Sequence, residues 1–372
     1  MSENFSNEIN ILKAVAISIV ISGHHEFSLL GIFPPYSFQV ALFFFISGCL
    51  FKDKYINDIK TYVTRRIKTL LIPYFWYNLF YLGVTCLIAK LTGKFWGMPL
   101  SLKNFFITPF LNGHQFDLSC PLWFVTQLFI TMITFVLTLK LLNKITPNKF
   151  FQLAFFTIMG IIAPIIAKIH DVTPLILVLI RTLFSLFFVY LGYFYIRFIK
   201  DKYNIFTPKW LGSIIILQSI LWLTNKDYNP IDGIGLSYLF VWARFDDITI
   251  IPVITSLTGI WAALFTVKIL YPYLKNIKFV QAMGKVTYHI LANHLLVMYI
   301  ITAILLHLNN IPVTERANHD IYWIYNPVQT TYFYFVTTML ITTYVGVLQQ
   351  KIWAKCKQFI HQRVPALFQE QS

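Results

Sequence analysis

The sequence predicts an all-α, polytopic membrane protein, and three observations support this class. The 372-residue chain is 57% hydrophobic and only 12% charged, with a mean hydropathy of +0.64, whereas soluble domains contain about 25% charged residues. Apolar runs of about 18 to 22 residues recur along the chain, which is long enough for a helix to cross a bilayer. The alternating pattern of an outer-membrane barrel is missing from the sequence, and open sheets cannot span lipid.

Ten membrane spans are predicted, at 11–30, 36–51, 69–89, 119–139, 150–167, 174–196, 210–224, 248–270, 286–307 and 331–350. The loops that follow even-numbered spans, together with the tail, hold 20 Lys and Arg residues, and the other loops hold 7. Because basic loops stay on the cytoplasmic side, both termini are expected in the cytoplasm. Neither a linker nor an internal repeat marks a boundary, so residues 1–372 are expected to form one transmembrane domain without an appended soluble domain.

The net charge of +15 does not indicate nucleic-acid binding, because the basic residues cluster in short loops between apolar runs. The cysteines show no paired spacing, which predicts neither a metal site nor a disulfide framework; they are Cys49, Cys86, Cys120 and Cys356. The N-terminus lacks a basic segment before the first apolar run, so this run is expected to be a retained helix rather than a cleaved signal.

The first span carries two ionisable side chains, Lys13 and His24, on one predicted helix face. Their spacing of eleven residues corresponds to three turns plus about 20°, and to about 16 Å along the axis. Burying such groups in lipid is costly, which favours a functional role. The alternative is that Lys13 extends to the interface and the histidines lie in a loop. His25 points about 100° away from His24, so the spacing favours His24 without excluding His25.

The second span ends in ALFFFISGCL, where Ser47 and Gly48 allow either a loosened helix or the close approach of another backbone. The following segment, TRRIKTLLIPYFWYN, places Arg65, Arg66 and Lys68 just before the third span. Adjacent guanidinium groups suit forked hydrogen bonds to phosphate oxygens. The alternative interpretation is that this basic cluster only fixes the topology.

The fourth span begins with SCPLWFVTQLF, and its candidate residue is Trp123, close to Pro121. The alternative role for this tryptophan is in an aromatic belt at the membrane interface. His114 and Asp117 precede the span, and although they could hold a substrate, solvated residues of an outer loop are the favoured interpretation.

Two later spans contain further candidates for substrate contact or for structural polar contacts. Arg181 lies about seven residues into the sixth span, too deep for easy extension to the outer surface, and is expected to face the bundle interior with a carboxylate, carbonyl or ligand partner. Tyr288 and His294 lie in the ninth span. A buried histidine with a satisfied hydrogen bond is the alternative to a functional His294.

Five segments, in this order, resemble the recurring segments of the membrane-bound acyltransferase family 3, the integral-membrane O-acetyltransferases of bacterial surface glycans. NILKAVAISIVISGHH resembles the family's Arg-x10-His helix, with Lys13 and His24 in the two positions. The others are FFFISGCLF, RRIKTLLIPYFWY, PLWFVTQLF and GKVTYHILANH. The chain departs from the family's Asp-x-x-Arg, because it has Asn10 and Lys13 there. Lysine keeps the charge but lacks the guanidinium fork, so only a point-charge role is carried over.

The resemblance implies a multi-pass protein of the bacterial inner membrane that takes acetyl-CoA from the cytoplasm, without a metal. The implied acceptor is a sugar hydroxyl of a surface polysaccharide of the lipopolysaccharide O-antigen or capsule type, either polymeric or lipid-linked. His24 would be the general base, or His25 if the doublet is read the other way. The basic cluster before the third span would hold the phosphates of coenzyme A. Lys13 or Arg181 would stabilise donor charge or the developing oxyanion.

Direct transfer is favoured over an acyl-enzyme, because no serine or cysteine shows a recognisable partner for activation in the sequence; an acyl-histidine stays open. The predicted partners are therefore acetyl-CoA, a glycan acceptor and membrane lipids, with no nucleic acid. Two other functions remain as alternatives. A transporter or exporter of glycan or small solutes also uses buried ionisable residues, although the two halves of this chain do not resemble each other as the repeats of many transporters do. A scaffold subunit of a glycan-assembly complex would tolerate substitution of His24 and Arg66.

Overall fold

The computed structural model describes residues 3–25, 27–225, 236–245 and 248–363, and this part of the chain is all-α with no β-strand. Ten helices lie at the ten predicted spans: α1 Glu3–His24, α2 Gln39–Cys49, α3 Ile59–Thr92, α4 Asp117–Ile145, α5 Lys149–Ile169, α6 Pro174–Ile199, α7 Pro208–Thr224, α8 Ile251–Leu274, α9 Thr287–Leu308 and α10 Pro327–Arg363. Shorter helices in the connections are Lys54–Asn57, Leu102–Phe106, Thr108–Leu111 and Lys278–Lys285.

The predicted fold class is confirmed, because eight of these helices are long and apolar enough to cross a membrane within the described ranges. The exceptions are α2 and α7. Helix α2 has 11 residues, which is a length of about 16 Å, and the hydrocarbon core is about 30 Å thick. The number of ten crossings and the cytoplasmic position of both termini therefore stay predictions.

The first helix differs from its predicted bounds of 11–30, since α1 begins at Glu3 and ends at His24. The polar N-terminal residues extend the helix before the apolar run, so hydrophobicity alone does not mark its start. After His24 the chain turns back toward the bundle, and Tyr36 adopts a positive φ of 60° in this return. His24 is thus the last residue of the helix, and the loop that follows α1 folds back over it.

Apolar side chains cover much of the outside of the bundle, as expected of helices that face lipid. Examples are Leu87 at 59% exposure, Ile158 at 56% and Ile216 at 62%. The interior is rich in tightly packed aromatic rings, including those of Phe51, Phe135 and Tyr193.

Helices α2 and α6 touch backbone to backbone. A Cβ atom added to Gly48 would lie 1.9 Å from the Val189 carbonyl oxygen, and one added to Gly192 would lie 1.9 Å from the Phe45 carbonyl oxygen. Such distances are impossible for real atoms, so both positions require glycine for this close approach. Of the two roles predicted for Gly48, the structure shows the close approach of a neighbouring helix.

Alanine at Gly48 or at Gly192 is expected to force α2 and α6 apart and to destabilise the protein by about 1–3 kcal/mol or more, because the core has no space for the added methyl group. Thermal unfolding of the purified protein measures this effect. Gly83→Ala in α3 is the matched control, since a Cβ there meets nothing within 4 Å. Equal melting temperatures for all three variants would contradict the interpretation.

Helix α3 contains one widened turn at Ile67–Leu71, where the Ile72 N–H donates to the carbonyl five residues back, at Ile67. Pro73 follows directly and has no N–H to continue the regular ladder. The carbonyl of Leu70 accepts a hydrogen bond from the Tyr288 hydroxyl at 3.2 Å, which ties α3 to α9. Turns of this π-helical kind are frequent near functional sites, and this one contains Lys68, the last residue of the basic cluster.

Candidate active site

A cavity of about 660 Å³ lies inside the bundle between α1, α2, α4 and α9. It follows α1 from Lys13 to His24, a distance of about 16 Å along the helix axis. We call one end the cationic end, which is lined by Lys13, Arg66 and Lys285. We call the other the aromatic end, which is lined by Tyr36, Trp123, Trp242 and Tyr322. The volume falls within the range of about 300–1,000 Å³ that is typical of small-molecule sites.

His24 lies at the aromatic end and is held on three sides. Its Nδ1 atom is 2.9 Å from the Tyr36 hydroxyl. Its ring stacks between those of His294 and Tyr322, with centroid distances of 5.1 and 5.0 Å. Among the described residues none is hydrogen-bonded to Nε2. When Nδ1–H donates to the Tyr36 oxygen, Nε2 carries a lone pair and can accept a proton from a molecule in the cavity.

His294 has a structural hydrogen bond that fixes its tautomer. Its Nδ1 lies 2.9 Å from the Leu291 carbonyl oxygen, which can only accept, so the proton is on Nδ1. The opposite nitrogen, Nε2, is buried without a partner in the part of the chain that the structure describes. His294 is fully buried and forms the wall against which His24 stacks.

The two neighbouring histidines are separated by the structure. His25 is not part of the cavity lining and packs against Tyr334 and Phe335 of α10, at centroid distances of 6.1 and 6.5 Å. Burial and the proximity of His294 lower the pKa of His25 to about 4. This imidazole is therefore neutral near pH 7, and it lies behind the site rather than in it.

The basic cluster before the third span is also divided. Arg66 lines the cavity, with its guanidinium group 4.9 Å above the Tyr62 ring. Arg65 instead donates to the Tyr55 hydroxyl at 2.8 Å, and Lys68 is exposed outside the cavity. Only one of the three predicted phosphate ligands thus faces the cavity.

Two lysines complete the cationic end. Lys13 projects into the cavity from the middle of α1, and Lys285 ends the short helix Lys278–Lys285. None of the ion pairs found among the described residues involves Lys13, Lys285 or Arg66. Three cations without carboxylate partners form a ready site for an anionic group. Lys285 is absent from the sequence-based candidates, because its position before the ninth span is that of an ordinary topological anchor.

Arg181 is buried in the bundle, as expected, but it does not line the cavity. Its guanidinium group donates to the Val241 carbonyl and lies 4.9 Å from the Trp123 ring. The arginine therefore joins α6 to the segment before α8 and supports Trp123, which itself lines the aromatic end. Tyr288 also lines the cavity, and its hydroxyl is used in the bond to Leu70.

Arg316 is a functional candidate that the sequence did not indicate, since a single arginine in a loop looks like a surface charge. It is fully buried, and its guanidinium donates to the carbonyls of Asp320 at 2.6 Å and Ile321 at 3.0 Å. Three aromatic rings surround it within 6 Å, those of Trp96, Tyr299 and Trp323. The arginine fixes the backbone next to Tyr322, the ring that stacks on His24.

Replacing Arg316 with methionine is expected to destabilise the loop that carries Tyr322, because two buried carbonyls lose their donor at about 1–3 kcal/mol each. The change should lower the melting temperature of the purified protein and speed proteolysis between residues 309 and 326. Lys103→Met, which changes an exposed cation of the short helix Leu102–Phe106, is the control and should change neither quantity. An Arg316→Met variant as stable and as protease-resistant as this control would contradict the assigned role.

The comparison with known proteins gave one match. Residues 6–347 match a protein-family model, Acyl_transf_3, described as an acyltransferase domain. No curated protein and no solved structure was found to match. The matched range includes every residue that lines the cavity.

Proposed function

The chain belongs to acyltransferase family 3, a family of membrane acyltransferases, and we propose that it moves an acetyl group from cytoplasmic acetyl-CoA to a sugar hydroxyl. The acceptor is a bacterial surface polysaccharide of the O-antigen or capsule type, and the enzyme acts in the inner membrane. The single observation that carries the proposal is the cavity along α1, with cations at one end and an accessible imidazole nitrogen at the other.

The cationic end fits the phosphate groups of coenzyme A. Arg66 and Lys285 belong to the more basic set of loops, which supports a cytoplasmic position for this end. Charge-assisted hydrogen bonds from these side chains would hold the phosphates. The pantetheine arm of the cofactor is long and narrow, and it would extend along α1 and bring the thioester toward His24.

The aromatic end fits a sugar. Tyr36, Trp242 and Tyr322 offer ring faces for the apolar faces of a pyranose, and Arg244 and Asp320 line the same part of the cavity. Pockets with a few polar groups among apolar and aromatic walls are typical of small-molecule binding. An acceptor entering here would place its hydroxyl next to Nε2 of His24.

Acetyl transfer would then proceed with His24 as general base. Nε2 takes the proton as the sugar oxygen attacks the thioester carbonyl carbon, and the coenzyme A thiolate leaves toward the cationic end. Lys13 lies about 16 Å from His24 along α1, so it suits the anionic part of the donor rather than the oxyanion.

Replacing His24 with alanine should lower glycan acetylation by about 10²- to 10⁴-fold, because a general base contributes about that factor. Mass spectrometry of purified surface glycan, with and without mild alkaline removal of esters, measures the acetyl content. His170→Ala, an exposed histidine outside the cavity, is the matched control. Normal acetylation by a well-inserted His24→Ala protein would count decisively against the proposal.

The divided basic cluster gives a second test. Arg66→Ala and Lys285→Ala should each raise KM for acetyl-CoA by about tenfold, since a charge-assisted hydrogen bond contributes about 1.5–3 kcal/mol. Lys68→Ala removes an equally charged neighbour outside the cavity and should leave KM unchanged. A KM that rises equally in all three variants would indicate a general electrostatic effect instead of a phosphate site.

A further inference from the structure

Cys120 is a thiol at the aromatic end of the cavity, in the first turn of α4. The Tyr322 hydroxyl donates to its sulfur at 3.8 Å, and the Tyr322 ring stacks on His24. The thiol and the candidate general base therefore flank one tyrosine and face one cavity. The Cys120 sulfur has no role in the direct transfer proposed above.

His114 lies beside this thiol, within range of its charge, and the His114 Nδ1 atom has no hydrogen-bond partner among the described residues. Its side chain is only 13% exposed, so the interpretation of His114 as a solvated loop residue is wrong. Asp117 holds the imidazole from the other side, with Oδ1 3.7 Å from Nε2. Burial opposes protonation of His114, but the neighbouring Cys120 and Asp117 outweigh it and raise the pKa of this imidazole.

Several groups around Cys120 are suited to activating its sulfur as a nucleophile. The sulfur lies at a helix N-terminus, next to His114 and within the field of the buried Arg181. A helix N-terminus and neighbouring cations are the features that activate nucleophilic cysteines. A nucleophile next to a histidine that a carboxylate orients is also the arrangement of covalent catalysis. The sequence did not reveal this partner, because the histidine lies six residues before the thiol, in a loop.

We propose that Cys120 accepts the acetyl group before the sugar does, with His114 and Asp117 as its activating pair. This inference rests on the proposed function, because it requires an acyl thioester as donor. Direct transfer is replaced by two transfers at the aromatic end. The acetyl group moves first from the coenzyme A sulfur to the Cys120 sulfur, and then from the Cys120 sulfur to the sugar oxygen.

The two steps balance. In the first step the Cys120 sulfur attacks the donor carbonyl carbon, a new C–S bond forms, the bond to the coenzyme A sulfur breaks, and His114 passes the cysteine proton to the departing thiolate. In the second step the acceptor oxygen attacks the Cys120 thioester while His24 takes the hydroxyl proton. The C–S bond then breaks, and the proton on His24 passes to the released cysteine thiolate, which restores the thiol and the neutral base for the next donor.

Trapping the intermediate tests the inference. Full-length protein in lipid nanodiscs is mixed with acetyl-CoA labelled in the acetyl group, with and without glycan acceptor, and quenched in acid. Peptide mass spectrometry then locates the label, and neutral hydroxylamine releases it if the bond is a thioester. Wild type and Cys86→Ser, which changes an exposed thiol outside the cavity, should carry a hydroxylamine-labile acetyl group on Cys120.

Cys120→Ala should carry no label and should lose acetyl transfer to the glycan by several orders of magnitude. His114→Gln should slow the labelling of Cys120 by about 10²-fold. His24→Ala should still become labelled but should not pass the acetyl group on. Wild-type trapping needs no substitution, so it tests the inference even if a variant folds poorly.

Glycan acetylation by Cys120→Ala at the wild-type rate would overturn the inference and leave the proposed function intact. Acetylation of glycan by the wild type without label on Cys120, or with the acetyl group on another residue, would likewise overturn the inference and leave the proposed function intact. A wild-type protein that neither becomes labelled nor acetylates any glycan would instead overturn both the inference and the proposed function.

Discussion

A polar side chain inside a lipid-embedded bundle needs a partner or a cavity, since an unpaired group costs several kcal/mol there. This constraint sorts the ionisable residues of the protein into two kinds. Arg181 and Arg316 donate to backbone carbonyls and lie against aromatic rings, so they hold the architecture. Lys13 and His24 face the cavity instead. The distinction between structural and functional charge thus follows from what each group contacts, not from its depth in the membrane.

The ring stack around His24 is the point at which these two kinds of residue meet. Arg316 fixes the backbone of the segment 320–321, the adjoining Tyr322 covers one face of the imidazole, and His294 covers the other. A base whose ring is held in this way keeps its free nitrogen in one direction, which is the preorganisation that catalysis requires. Loops that hydropathy identifies only as connections between spans therefore contribute to the candidate site as much as the helices do.

The sequence predicted the fold class and the location of the ten helices, because hydrophobic length is a strong signal in membrane proteins. It also predicted that Lys13 and His24 share one face, which follows from helix periodicity alone. It did not predict the division of the basic cluster before the third span, since that depends on how α3 packs beside its widened turn. The burial of His114 and Arg316 was also missed. The burial of a loop residue depends on tertiary packing, and neither hydrophobic periodicity nor the count of charged residues predicts that packing.

The cavity along α1 has a consequence for the cell that carries this protein. A cavity with cations at one end would weaken a membrane as a barrier to ions if water filled it from side to side, since each elementary charge gains about 2.3 kcal/mol per 100 mV of membrane potential. The rings of His294, His24 and Tyr322 are stacked at the aromatic end, where they take up space that water would otherwise fill. The contacts that fix the imidazole in place would thereby also limit the leakage of ions through the bundle.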